Sequence, residues 1–452
     1  MARLGKFGLW VSAIALLAAC QAEIPLPGER LSIDTPVSET ALPGESTGAA
    51  RVLRLDKDTS VDGPRAISLP AATSVASWPQ RGYSTERRMP HLALSAAPSQ
   101  IWSASIGAGD SRRYRITADP VSDGSRIFTL DAQSQVMAHS TSGAALWRAD
   151  LTPSAERGTQ SGGGLVVHEG TLYATSGWGT VTALDAATGQ VKWSQKIGAV
   201  GTAAPVVSGG LLYAVGRNNQ AWAIRLADGK VVWTVQGQPG RAGYLGGAGP
   251  AIDGRVAVLP FSGGQVMTVL KNSGVTSWTA VVGGDREGAA YASVIRDVGA
   301  DPVIDGGKVY VSNAAGKLAA LSLGRGERVW TADEGAMGAV VPAGSSLFFV
   351  SDANELIRLD AATGQRIWGT PLPNFLTEKQ KNRKAVHSHH GPLLAGGRVV
   401  LASDDGQLRF FDPVSGALTH TAALPGGAAS NPIVSGGVLY VVSEKGQLMA
   451  FR

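Results

Sequence analysis

The chain is poor in several things, and each shortage excludes something. It has one cysteine in 452 residues, Cys20, so no internal disulfide can brace it. Its N-terminal apolar run, Phe7 to Leu17, has 11 residues, against the roughly 20 that a membrane-spanning helix needs. Its net charge is small. The formal +5 falls to +3 once Arg3 and Lys6 are set aside, and both signs are interspersed, a weak basis for binding nucleic acid. Long amphipathic windows of helical period are scarce, and residues 21 to 77 contain no aromatic at all.

What the chain does have is glycine, 59 residues, about twice ordinary usage. Many tight turns between short strands would need it. One stretch, Gly179 to Trp193, reads as a hairpin. Val181 and Ala183 on one arm, and Val191 and Trp193 on the other, recur at every second position, the period of a strand with one buried face. Asp185 and Gly189 bound the turn, the one bonding backbone ahead of it and the other supplying positive φ.

The unit recurs as Gly143/Trp147, Gly229/Trp233, Gly274/Trp278, Gly326/Trp330 and Gly364/Trp368, with a degenerate copy at Gly416/His420. Successive Trp residues are 46, 40, 45, 52 and 38 positions apart, the period of a propeller blade. First-and-second-strand hairpins number eight, as do third strands, but only seven fourth strands follow a third strand before the chain stops at Arg452. Ile101–Ser105, carrying Trp102, has no partner before it in sequence and can pair beside Gly446–Phe451 to close the ring. The expected fold is all-β: an eight-bladed β-propeller of four-stranded antiparallel blades closed by an N-terminal strand, over residues 76–452. Seven blades plus a stray hairpin is the alternative. The long segments, 234–248, 279–299 and 369–390, each join a fourth strand to the next blade and so emerge on one face, where binding function usually sits.

The first 19 residues read as a signal peptide: a basic start, the short apolar run, then small residues Ala18 and Ala19 before Cys20. Leu-Ala-Ala-Cys resembles a bacterial lipobox, which implies acylation of Cys20. Gln21 after it, rather than Asp, resembles the sorting pattern for the outer membrane. Residues 20–75, interrupted by Pro25, Pro27, Pro36, Pro43, Pro64 and Pro70, are expected to be a lipid-anchored flexible tether, although part of this stretch, such as 49–55, could pack on the domain.

The repeats, Ala-Leu-Asp-Ala-Ala-Thr-Gly-Gln-Val-Lys-Trp above all, resemble the quinoprotein-type propeller repeat over roughly residues 78–452. That repeat occurs in pyrroloquinoline-quinone dehydrogenases and in the BamB family of the outer-membrane β-barrel assembly machine. The lipobox, eight blades and single domain resemble the BamB family. This implies a non-enzymatic scaffold on the periplasmic face of the outer membrane, without cofactor, bound to the POTRA domains of BamA and other machine components, with unfolded barrel proteins as further partners. The resemblance also implies a partner surface. Aligned on Gly249-Pro250, Tyr244 and Leu245 take the critical positions and Arg241 could substitute for the family's arginine. Asp297-Val298 matches an aspartate-valine pair, in a connection that also holds Arg286 and Arg296. An aromatic-aliphatic pair with Asp297 at a polar rim is the make-up of an interface anchor.

The dehydrogenase alternative would need a bound metal with carboxylate and amide ligands, a catalytic Asp and usually a Cys-Cys pair. Here the acidic residues Asp185, Asp228 and Asp360 precede Gly-closed turns, where Asp is expected for local reasons. Another membrane-tethered binding propeller is the remaining alternative. His387, His389 and His390 could in principle hold a divalent metal, but Lys379, Lys381, Arg383 and Lys384 beside them oppose a cation.

Overall fold

The computed structural model describes residues 63–199, 203–238, 247–284, 297–377, 379, 383 and 385–452. Their strands form eight four-stranded antiparallel sheets. Seven are continuous in sequence: blades 1 to 7 span 121–150, 163–196, 206–236, 251–281, 303–332, 341–371 and 389–423. Blade 8 takes three strands from Ile433–Ser435, Val438–Val442 and Gln447–Phe451, and its outer strand from Gln100–Ser105. Trp102 lies opposite Ala450 and Ser105 opposite Gln447. The ring is therefore closed as expected, with eight blades.

The apolar cores lie between blades. Phe128 and Val136 of blade 1 pack with Leu165 and Leu184 of blade 2, and Tyr213 of blade 3 with Leu259 and Val269 of blade 4. This explains the repeat. Each outer-strand Trp reaches across to the next blade. Trp147 Nε1 donates to the Ala186 carbonyl at 3.1 Å, Trp193 to Leu226 at 2.8 Å, Trp233 to Lys271 at 2.8 Å, and Trp278 to Leu323 at 2.8 Å. Trp102, Trp330 and Trp368 repeat the bond to Thr141, Ala361 and Pro413. The indole also covers the turn glycine of that next blade. At Gly189, φ is +73° and a Cβ would come within 2.5 Å of the Trp147 ring. Glycine is thus required twice over, for its backbone and for the close approach. The motif read within one hairpin records a contact between blades.

The degenerate seventh copy has the same explanation. His420 packs on Phe410 of its own blade, ring centroids 5.3 Å apart. The turn it should cover would join the third and fourth strands of blade 8. That turn is absent, because the fourth strand of blade 8 is Gln100–Ser105, and in place of the turn Ser99 and Arg452 exchange backbone hydrogen bonds at 2.9 and 3.0 Å.

Two expectations are corrected. Val191 does not share a buried face with Trp193; it is 59 % exposed. A register shift falls between Ala183, opposite Trp193, and Leu184, opposite Val191. That bulge turns the alternation over, as an extra residue must, and every blade carries one at the same place. The tether boundary at 75 also moves. Residues 63–75 lie on the ring: Gly63 N–H donates to the Ile367 carbonyl, Arg65 N–H to that of Val414, and Thr73 pairs with Leu92. Arg358, fully buried, fastens this entry by donating to the carbonyls of Arg65, Ala66 and Pro413.

Candidate interaction face

The two faces of the ring differ because one is closed by the chain itself. Residues 63–99 form a strap that meets every innermost strand at or beside its C-terminal end. Trp78 pairs with Ser122 of blade 1, and Gln80 with Val166 of blade 2. The Gln80 side chain accepts from Val207 N–H of blade 3. Thr85 and Glu86 carbonyls accept from Ile252 of blade 4 and Ile304 of blade 5. The Ser68 carbonyl fits against Gly344 of blade 6, where a Cβ would intrude to 2.5 Å. Leu92 pairs with Ala395 of blade 7, and Val75 accepts from Gly436 of blade 8.

Two arginines cross the channel from the strap. Arg87, 2 % exposed and with φ at +62°, donates to the carbonyls of Ala204 and Pro250 at 2.9 Å and lies 3.4 Å from Asp301. Arg81 bonds Asp119 at 3.1 Å and the Thr117 carbonyl at 2.9 Å. Asp119 accepts in turn from Asn431. These partners stand just before the innermost strands, at the far end of the channel. Burial disfavours the Arg81 cation, but Asp119 and Asp301 outweigh it and raise its pKa; at Arg87 burial wins over Asp301 and lowers it. Nothing in the sequence marked Arg81 and Arg87 except their place after Trp78 in a stretch with no strand pattern. A buried ion pair of this kind resists loss of either partner, at about 3–5 kcal/mol.

The opposite face carries the interblade connections. Of the residues expected at a partner surface, Arg241, Tyr244, Leu245, Arg286 and Arg296 lie outside the described residues, as does Cys20. Asp297 is described, and it is not a rim charge. It is 8 % exposed, accepts from Gly263 N–H at 2.9 Å, and its carbonyl accepts from Ala314 N–H. Burial raises its carboxyl above the ordinary range, against the bonds from Gly263 and Ser262 and the charge of Arg217. It ties the connection between blades 4 and 5 to the blade 4 turn. With Arg217, Phe261, Gly247 and Ala248 it lines a cavity of about 50 Å³ at the foot of the connections between blades 3 and 4 and between blades 4 and 5.

The histidines do not converge. His387 Nδ1 meets Asp404 at 2.6 Å, while His389 meets Ser403 through Nδ1 and the Pro373 carbonyl through Nε2. Burial lowers the pKa of His390. Among the described residues, no group of three or more His, Cys, Asp or Glu is arranged to hold a metal. Asp185 and Asp360 each accept from two backbone N–H groups of their own turns, as their local role required.

The fold and this face define a class: a quinoprotein-type eight-bladed propeller whose channel is occupied by its own strap. The family model for outer membrane protein assembly factor BamB matches residues 132–370 and 377–452. The chain belongs to the BamB family. It is 24 % identical to the Yersinia pestis assembly factor over 372 residues, 80 % of this chain and 91 % of that one, and 25 % identical to that of Moranella endobia over 80 % and 92 %. The crystal structure of BamB from Moraxella catarrhalis superposes with a TM-score of 0.64 at 18 % identity, covering 79 % of this chain and all of that one. Quinohemoprotein alcohol dehydrogenase from Comamonas testosteroni reaches the same TM-score at 14 % identity, over 84 % and 81 %. The ring is thus common to assembly factors and dehydrogenases; the family places this chain among the former, which are not enzymes.

Proposed function

We propose that this protein is a lipid-anchored scaffold in outer-membrane protein assembly, held to the periplasmic face of the outer membrane through Cys20. It binds the POTRA region of BamA by its interblade connections and assists barrel insertion. The support is membership of a family named for that assembly, joined to the asymmetry of the ring: the strap closes one face, and the long connections gather on the other. The contact residues in this reading are Arg241, Tyr244, Leu245, Arg286 and Arg296, with Asp297 holding its connection in place from beneath. Other machine components and unfolded barrels are further partners of the same face.

Co-purification of BamA from solubilised membranes tests it. Tyr244→Ala with Leu245→Asp should reduce recovery of BamA at an unchanged melting temperature. Recovery at the wild-type level removes this surface from the reading. Cys20→Ala should abolish labelling by a palmitate analogue, and labelling that survives removes the anchor.

A further inference from the structure

The connection between blades 6 and 7 folds on itself. Phe375 and Val386 form an antiparallel bridge, Leu376 N–H donates to the Ala385 carbonyl, and His387 N–H to that of Asn374. Its base is bolted to the ring. His387 meets Asp404, Ser388 N–H donates to the same carboxylate, and Asn354 donates to the His387 carbonyl at 2.9 Å. What it presents outward is apolar and basic together. Leu376 is 56 % and Val386 44 % exposed, Lys379 and Arg383 are exposed, and the Arg383 guanidinium stacks 4.8 Å from the Phe375 ring centre. On the neighbouring connection Met337 is 44 % exposed, and Gly338 beside it abuts the Gly391 carbonyl of blade 7. Among the described residues, the other large exposed apolar side chains lie on the blade sheets or their turns.

We propose that this ridge, Leu376, Lys379, Arg383 and Val386 with Met337 beside it, is a contact for an anionic phospholipid surface. A protein partner is the poorer fit. Stable protein interfaces bury about 800 Å² on each side around an apolar centre, whereas this ridge offers a few aliphatic side chains and two exposed cations, Lys379 and Arg383. A bilayer surface asks less. It needs point charges near phosphate headgroups and a few aliphatic side chains that enter the interface shallowly. The rigid base matters because it keeps the apolar and basic groups on one side. The contact does not depend on the lipid anchor, although an anchor would hold it at high effective concentration.

Flotation with vesicles tests this, using a chain that begins at Gln21 and therefore carries neither the signal segment nor Cys20 but contains the whole described ring. It should float with vesicles containing phosphatidylglycerol and not with phosphatidylcholine alone, and salt should release it. Lys379→Glu with Arg383→Glu should weaken binding about tenfold or more, and Leu376→Asp should weaken it on the same vesicles. Melting temperatures should not move, since these side chains are exposed. Lys379→Gln with Arg383→Gln should fall between wild type and the reversal, and decides the matter if the reversal variant melts early. No flotation with anionic vesicles, equal flotation with neutral ones, or undiminished binding by the reversed or neutralised ridge overturns the proposal. BamA recovery with the reversed ridge should stay at the wild-type level, which separates this contact from the partner surface proposed above.

Discussion

Blade 2 and blade 8 have the same four strands in the same order, yet they are held differently. In blade 2 the outer strand follows its neighbour through the Asp185 turn, whose Gly189 receives Trp147 from blade 1. In blade 8 the outer strand is Gln100–Ser105, from the other side of the chain's seven continuous blades, and the place of the turn is taken by the Ser99 and Arg452 backbone pair. Blade 8 therefore cannot receive a tryptophan, and blade 7 supplies His420 instead. A seam costs one interblade contact of the kind made everywhere else around the ring. On the other side of blade 8 the usual contact is kept, Trp102 of the closing strand reaching forward to Thr141 of blade 1, and His139 of blade 1 adds a bond back to the Ser105 carbonyl at 3.0 Å. The strap adds a closure of its own on the inner side.

The largest effect on this comparison should come from deletion. Removing residues 1–105 takes away both the closing strand and the strap, and should leave no cooperative melt. Removing 21–62 spares both and should leave the melting temperature where it was. Similar melts for the two truncations would mean that the N-terminal elements do not hold the ring.

A smaller effect separates ordinary blades from the seam. Trp368→His copies the seam residue into an ordinary junction, where Gly416 and the Pro413 carbonyl still wait for an indole. Loss of a buried ring and its bond should cost about 3 kcal/mol. Chemical denaturation measures it. A cost below about 1 kcal/mol would show that the tryptophans are interchangeable with smaller rings.

Protonation should find the seam next. Burial lowers the pKa of His139 below its ordinary 6.5, and its contact with the Ser105 carbonyl requires a proton on Nε2, leaving Nδ1 bare. The unfolded chain then binds the proton more readily than the folded one. The contribution is fully present above pH 6.5 and is lost as pH falls below it. Stability measured from pH 7.5 to pH 5 should decline, and His139→Gln should flatten part of that decline. His389 and His390, also lowered by burial, keep the remainder. An unchanged slope in the variant would remove His139 as a source.

The smallest effect is the most pointed. His420→Trp restores the repeat consensus, but the seam has no turn glycine to receive the ring, so stability should change by no more than about 0.5 kcal/mol. A gain approaching the Trp368→His loss would mean that the Ser99 and Arg452 pair forms an adequate substitute for the turn.

Much of this was legible before the structure. The Gly-to-Trp spacing, the turn aspartates and the orphan strand around Trp102 carry the blade count and the closure, because local turn chemistry and period-two burial are written residue by residue. The bulge that exposes Val191 was not legible, since an extra residue in one strand shows only when its partner's register is known. Nor was the burial of Asp297, which the family's aspartate-valine pair and its own charge suggested as a rim contact; a backbone donor from another turn decided it.

By itself, then, the sequence determined the number of blades, the order of their strands and the face on which long connections collect, all consequences of local pattern repeated along the chain. Tertiary structure alone decided that residues 63–75 belong to the ring, that Arg81 and Arg87 fill its channel, and why His420 stands where a tryptophan should. Each of these depends on groups far apart in sequence: carbonyls just before several innermost strands, or Ser99 and Arg452, which meet only when the ring has closed.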